Sequence, residues 1–94
     1  MAELLKPETV QVLLEEVPTW KLDDNSIERT FIFDGFPAAI EFVNKMAAEA
    51  EGMNHHPDID IRWNKVKVVL RTHTAGGLTD LDFMLATKID KLIH

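Results

Sequence analysis

The sequence predicts an α+β fold, α-β-β-α-β-β-α, with a four-stranded antiparallel sheet and helices packed on one face. Three observations carry this expectation. Two stretches, from Trp20 to Phe33 and from Asp58 to Thr72, alternate apolar and polar residues around central turn chemistry. A long helical rhythm from Phe36 to Ala50 separates them. Periodic apolar positions opened by Pro7 and by Thr79 add a helix near each end.

Each element has its own signal. Pro7 suits the first turn of a helix, where its missing N–H is not needed; Val10, Leu13, Leu14 and Val17 recur on one face until Pro18 ends the run. Trp20 and Leu22 flank Lys21 in a short strand, Asp23-Asp24-Asn25 is turn chemistry, and Ile27, Phe31 and Phe33 alternate with Glu28 and Thr30. Arg29 interrupts the apolar side and is expected near a sheet end. In the second helix Phe36, Ala39, Ile40, Val43, Met46, Ala47 and Ala50 form the stripe, with Gly52 as the expected C-cap. Met53 to Pro57 is then a connector.

The second hairpin is expected to turn at Asn64-Lys65. Trp63 would then oppose Val66, Ile61 Val68, and Ile59 Leu70, all on one buried face. The last helix opens with Thr79 and Asp82 in a capping-box pattern, stapled by Leu78 and Phe83. Leu81, Leu85, Ile89 and Leu92, widened by Phe83, Ala86 and Ile93, give it more apolar surface than one sheet face needs. A subunit interface is one use for the excess.

Ninety-four residues make a single domain, 1–94, and the 46% apolar and 28% charged shares are those of a globular protein. No cysteine is present for a disulfide or thiolate site. Met1 to Pro7 lacks a basic stretch followed by an apolar run, and no apolar run is long enough to span a bilayer, so a cytoplasmic protein without membrane contact is expected. The net charge of −6, with Arg62, Lys65, Lys67 and Arg71 interleaved with Asp58 and Asp60, argues against direct nucleic-acid binding.

The same hairpin register, carried outward, sets Asp58 against Arg71 and His56 against His73. His55, His56 and His73 would therefore converge beside Glu51 and the capped start of the last helix, while His94 is expected to play no part. Imidazoles give and take protons near neutral pH, so such a cluster suits general acid–base chemistry. Singly, each piece has a plainer reading: a polar connector for the histidine pair, a solvated helix end for Glu51, a cap for Asp82, packing for Trp20 and Trp63. Three histidines and a carboxylate are also legitimate zinc ligands. Adjacent histidines rarely point at one centre, however, and no H-x-H or H-E-x-x-H pattern occurs, so no metal is expected.

Taken together the motifs resemble the pterin-4a-carbinolamine dehydratase family. The E-x-x-x-H-H-P element is Glu51 to Pro57, [YW]-N-x-V is Trp63 to Val66, and T-H-x-x-x-G-L-[ST]-x-x-D is Thr72 to Asp82. Trp20 and the helix beginning at Phe36 agree as well, so the resemblance spans essentially the whole chain. It implies removal of water from 4a-hydroxytetrahydropterin to give quinonoid dihydropterin, without a metal or organic cofactor, in a dimer or tetramer. It implies His55, His56 and His73 as catalytic residues. Glu51, Asn54, Pro57, Thr72, Thr74, Ala75 and Asp82 would bind the pterin substrate. Asn54 stands where some members carry Asp, which could hold an imidazole charged as Asn cannot. Some family members bind transcription factors and some related proteins act as assembly factors, so a non-catalytic protein partner of the same fold is the alternative.

Overall fold

In a computed structural model, residues 2–93 are described; Met1 and His94 lie outside the described residues. The elements are α1 (Pro7–Leu14), β1 (Lys21–Asp23), β2 (Ser26–Ile32), α2 (Phe36–Met53), β3 (Asp58–Arg62), β4 (Lys65–Leu70) and α3 (Asp80–Asp90). The expected α+β order is therefore found. All strand pairs are antiparallel, in the order β1-β2-β4-β3. The two hairpins join through β2 and β4, so the chain passes over β4 in α2 and returns at the sheet edge as β3.

Alternation sorts the two faces. Ile27, Phe31, Val66, Val68 and Leu70 point into the core, where they meet Ala39, Phe42, Met46 and Ala50 of α2 and Phe83, Leu85, Ala86 and Ile89 of α3. Phe42 stacks at tilted angles on Phe31 and Phe33, with centroids 4.7 and 5.0 Å away. The opposite face is polar. Lys67 lies 3.0 Å from Glu28 there, and that hydrogen bond, then the carboxylate's charge, holds the ammonium above the usual lysine range.

Several local expectations are corrected. Arg29 is not near a sheet end; it sits mid-strand in β2, opposite Val68, on the core side. Its guanidinium is accommodated because Asp90 at the end of α3 accepts from it at 2.7 Å, the same oxygen takes the Trp20 indole N–H at 2.9 Å, and Phe31 lies under it at 4.3 Å. In α2 the buried seam is Ala39-Phe42-Met46-Ala50, while Phe36 and Ala47 are exposed. Phe42, rather than Phe36, packs against the Phe31 and Phe33 rings. Gly52 is helical, and Asn54 is the C-cap in left-handed conformation, φ 50° and ψ 42°.

The second hairpin turns one residue earlier than expected, at Trp63-Asn64, with Trp63 at φ 53°. Ile61 thus opposes Val66 and Ile59 opposes Val68. The faces are unchanged because the slip is an even number of residues, but the pairs move. Asn64 fixes this turn: its side chain donates to the Phe33 carbonyl at 3.0 Å, and its own carbonyl accepts from Phe33 N–H at 2.9 Å. Nor does β3 bury its apolar side: Ile59 and Ile61 are each 37% exposed and Trp63 70%. Of the apolar set expected on and after α3, Phe83, Leu85, Ala86 and Ile89 are buried, whereas Leu81, Leu92 and Ile93 are half-buried; uncovered apolar surface also appears on the edge strand.

Candidate active site

The site is assembled where α2 ends, β4 ends and α3 begins. At the end of α2, Asn54 turns the chain left-handed, a conformation Asn tolerates better than most residues. His55 N–H then closes back onto the Ala50 carbonyl at 3.1 Å, which aims the His55 ring inward and leaves His56 outside. At the other side, Thr72 and Gly77 pair as an isolated bridge, with Ala75 and Gly76 N–H groups returning to the Thr72 carbonyl. Gly76 takes φ 77° to close that loop. His73 and Thr74 sit on its exposed rim.

Asp82 joins these segments. One carboxylate oxygen, Oδ2, accepts the Thr79 N–H at 2.9 Å and the Thr72 hydroxyl at 2.9 Å; the other, Oδ1, lies 2.6 Å from His55 Nε2. Thr72 and Thr79 hydroxyls are 2.7 Å apart, and Thr79 also caps α3 through Leu81 N–H at 3.3 Å. The carboxylate is fully buried and His55 is 8% exposed. A buried carboxylate needs this many donors, since an unpartnered one would be strongly disfavoured. The sequence pattern exposes Asp82 as a helix cap; its second oxygen, free in a capping box, is what holds His55.

His55 Nδ1 remains open. It has no hydrogen-bond partner among the described residues, yet the only sealed side-chain polar atom without one, among those residues, is Asn64 Oδ1. The ring is therefore buried with one nitrogen at the surface. His56 lies on the exterior with Nε2 2.8 Å from Glu51 Oε1, so the expected nearness of Glu51 is seen as a direct contact. His73 is also exterior, and its Nδ1 accepts from Arg71 Nη2 at 3.2 Å.

The expected facing pairs shift with the hairpin register. Carried past its last pair, the observed register sets His56 level with Arg71 and His55 level with Thr72, rather than His56 with His73. The Asp82 bonds agree with that alignment, since its two oxygens take His55 and Thr72. Arg71 is correspondingly not against Asp58, which faces Val69. Of the other expected residues, Pro57 is half-buried at the entry to β3, Asn54 is an exposed cap, and Thr74 and Ala75 belong to the loop. Asp82 has no surface of its own, so it reaches a bound molecule only through His55. Among the described residues no three His, Cys, Asp or Glu side chains form a ligand cluster. Wide grooves of about 670 and 680 Å³ lie elsewhere, along β2, and carry no histidine.

Comparison with known proteins points to one family. The family profile described as pterin 4 alpha carbinolamine dehydratase matches residues 3–92. A protein of Acidobacterium capsulatum, provisionally named pterin-4-alpha-carbinolamine dehydratase, is 51% identical over 95% of this chain and 97% of its own. One from Chloroflexus aurantiacus with the same provisional name is 50% identical over 99% of both. Among solved structures, one described as a transcriptional coactivator/pterin dehydratase from Brucella melitensis superposes with a TM-score of 0.92 at 32% identity, covering 96% of this chain and 98% of that one. A pterin dehydratase-like RuBisCO assembly factor of the alpha-carboxysome shares the fold at a TM-score of 0.64 and 22% identity, covering 78% and 84%. With a match running almost from end to end, the chain belongs to the pterin-4a-carbinolamine dehydratase family.

Proposed function

We propose that the protein is a hydro-lyase that removes water from 4a-hydroxytetrahydropterin to give quinonoid dihydropterin, so returning oxidised tetrahydropterin to its recycling route. The observation that carries the reading is the His55–Asp82 pair: a ring buried against a carboxylate with its second nitrogen left at the surface. The reaction breaks the C4a–O bond and takes one proton from the neighbouring ring nitrogen. It is redox-neutral, so proton-handling side chains suffice and no metal or organic cofactor is required.

His55 and His73 are the two imidazoles that act on the reacting atoms in this reading, and His56, held by Glu51, orients the flat heterocycle. Thr72 contributes through Asp82, its hydroxyl being already engaged. Asn54, Pro57, Thr74 and Ala75 form the rim around them. We place the protein in the cytoplasm; no helix among the described residues is long and apolar enough to cross a membrane. We also read it as a homo-oligomer, dimer or tetramer, because Ile59 and Ile61 on β3, with Trp63 in the turn that follows, leave apolar surface uncovered at the sheet edge.

The test is an absorbance assay of 4a-hydroxypterin dehydration with purified protein. Catalysis well above the spontaneous rate is expected, with His73→Ala lowering it by ~10²-fold or more. A wild-type rate equal to the spontaneous one would instead favour a non-catalytic partner of the same fold, the reading that the uncovered strip on β3 supports.

A further inference from the structure

The two histidines of the proposed pair are gripped by opposite kinds of group. Asp82, as a carboxylate, offers only acceptors, so His55 must present Nε2–H to it, and the neutral ring keeps its lone pair on Nδ1, the nitrogen left open. Arg71 offers only donors. The atom 3.2 Å from its Nη2 is His73 Nδ1, which must therefore be the lone-pair nitrogen, leaving the proton on Nε2. The open nitrogen of His55 is thus an acceptor and that of His73 a donor.

From this polarity we infer that Arg71 is a positioning residue, one that fixes His73 as an Nε2–H donor facing the substrate while His55 serves as the base. The inference rests on the dehydratase reading for its catalytic meaning, but the tautomers can be tested without it. In the reaction the C4a–O bond breaks with its electron pair going to oxygen, and His73 Nε2–H hydrogen-bonds to that departing oxygen, keeping its own proton. The ring-nitrogen proton passes to His55 Nδ1, forming an imidazolium beside the Asp82 carboxylate. Return of that proton to the released hydroxide gives water and the neutral ring, so charge and protons balance. A neutral imidazole acting as a donor to developing negative charge is established enzyme chemistry. Arg71 suits the task because a guanidinium does not give up its proton and so cannot turn into an acceptor.

The experiment combines ¹⁵N NMR of the imidazole nitrogens, at a pH where the rings are neutral, with kinetics on Arg71→Met and Arg71→Lys. In the wild type the expected pattern is a protonated Nε2 on both rings. Arg71→Met should spread the His73 proton over both nitrogens, lower kcat by ~10-fold and leave KM within about 2-fold. Arg71→Lys, which still donates, should restore the nitrogen pattern and most of kcat. A wild-type His73 carrying its proton mainly on Nδ1 would overturn the inference, as would an Arg71→Met variant with unchanged nitrogen signals and unchanged kcat. The expected nitrogen pattern in a protein without dehydratase activity would sink the functional reading and leave the assignment of Arg71 standing.

Discussion

Asp82 carries two duties on one side chain, and they explain why a carboxylate lies at the centre of a 94-residue fold. Oδ2 holds the start of α3 and the end of β4 together, while Oδ1 holds His55. Asp82→Ala would leave Thr72, Thr79 N–H and His55 Nε2 short of partners, and should destabilise the fold by about 2–4 kcal/mol in urea unfolding. Asp82→Asn keeps the shape and one acceptor, so its loss should fall more on turnover than on stability. Asn54 acts through its backbone. At φ 50° a glycine should be accepted within about 0.5 kcal/mol, whereas a β-branched valine should cost about 1–2 kcal/mol, as thermal unfolding of Asn54→Gly and Asn54→Val would show.

At the scale of elements, order and type were legible because each rests on local chemistry: alternation for the strands, the 3.6-residue rhythm for the helices, Pro7 and Thr79 at the starts. What sequence could not give were choices made by distant partners. The turn moved to Trp63-Asn64 because Asn64 is bonded to Phe33, thirty-one residues away, and Arg29 entered the core side because Asp90 is there to receive it. The histidines were legible as a group, since motif and topology bring them to one end of the sheet. Their pairings were not, because they follow from the shifted register and from the unused oxygen of Asp82. The loop carrying His73 is braced from outside its own segment. Leu5 N–H bonds the Leu78 carbonyl at 2.8 Å, and a Cβ added at Gly77 would lie 2.8 Å from Leu4 Cδ1. Gly77→Ala should therefore displace the exposed Leu4 side chain at a cost of no more than about 1 kcal/mol, and most of that cost should vanish in a Leu4→Ala background. Additive effects in the double-mutant cycle would show that the two do not touch in solution.

For the whole molecule, helices cover the sheet over β2 and β4 but stop short of β3, so the edge strand combines unpaired backbone with an apolar side chain row. Edges of that kind invite pairing unless something covers them. Ile61→Lys should leave the fold intact, because Ile61 is already 37% exposed, and reduce the sedimentation mass toward that of one chain. An unchanged mass would place the self-association surface elsewhere. The account as a whole stands on imidazoles from the α2–β3 connector and the β4–α3 loop working on one substrate. Stopped-flow dehydration with a His55→Ala/His73→Ala double variant, verified as folded, addresses that most directly. A fall of ~10³-fold or more from the wild-type rate, toward the spontaneous reaction, is expected; a double variant that dehydrates the pterin as fast as the wild type would contradict it.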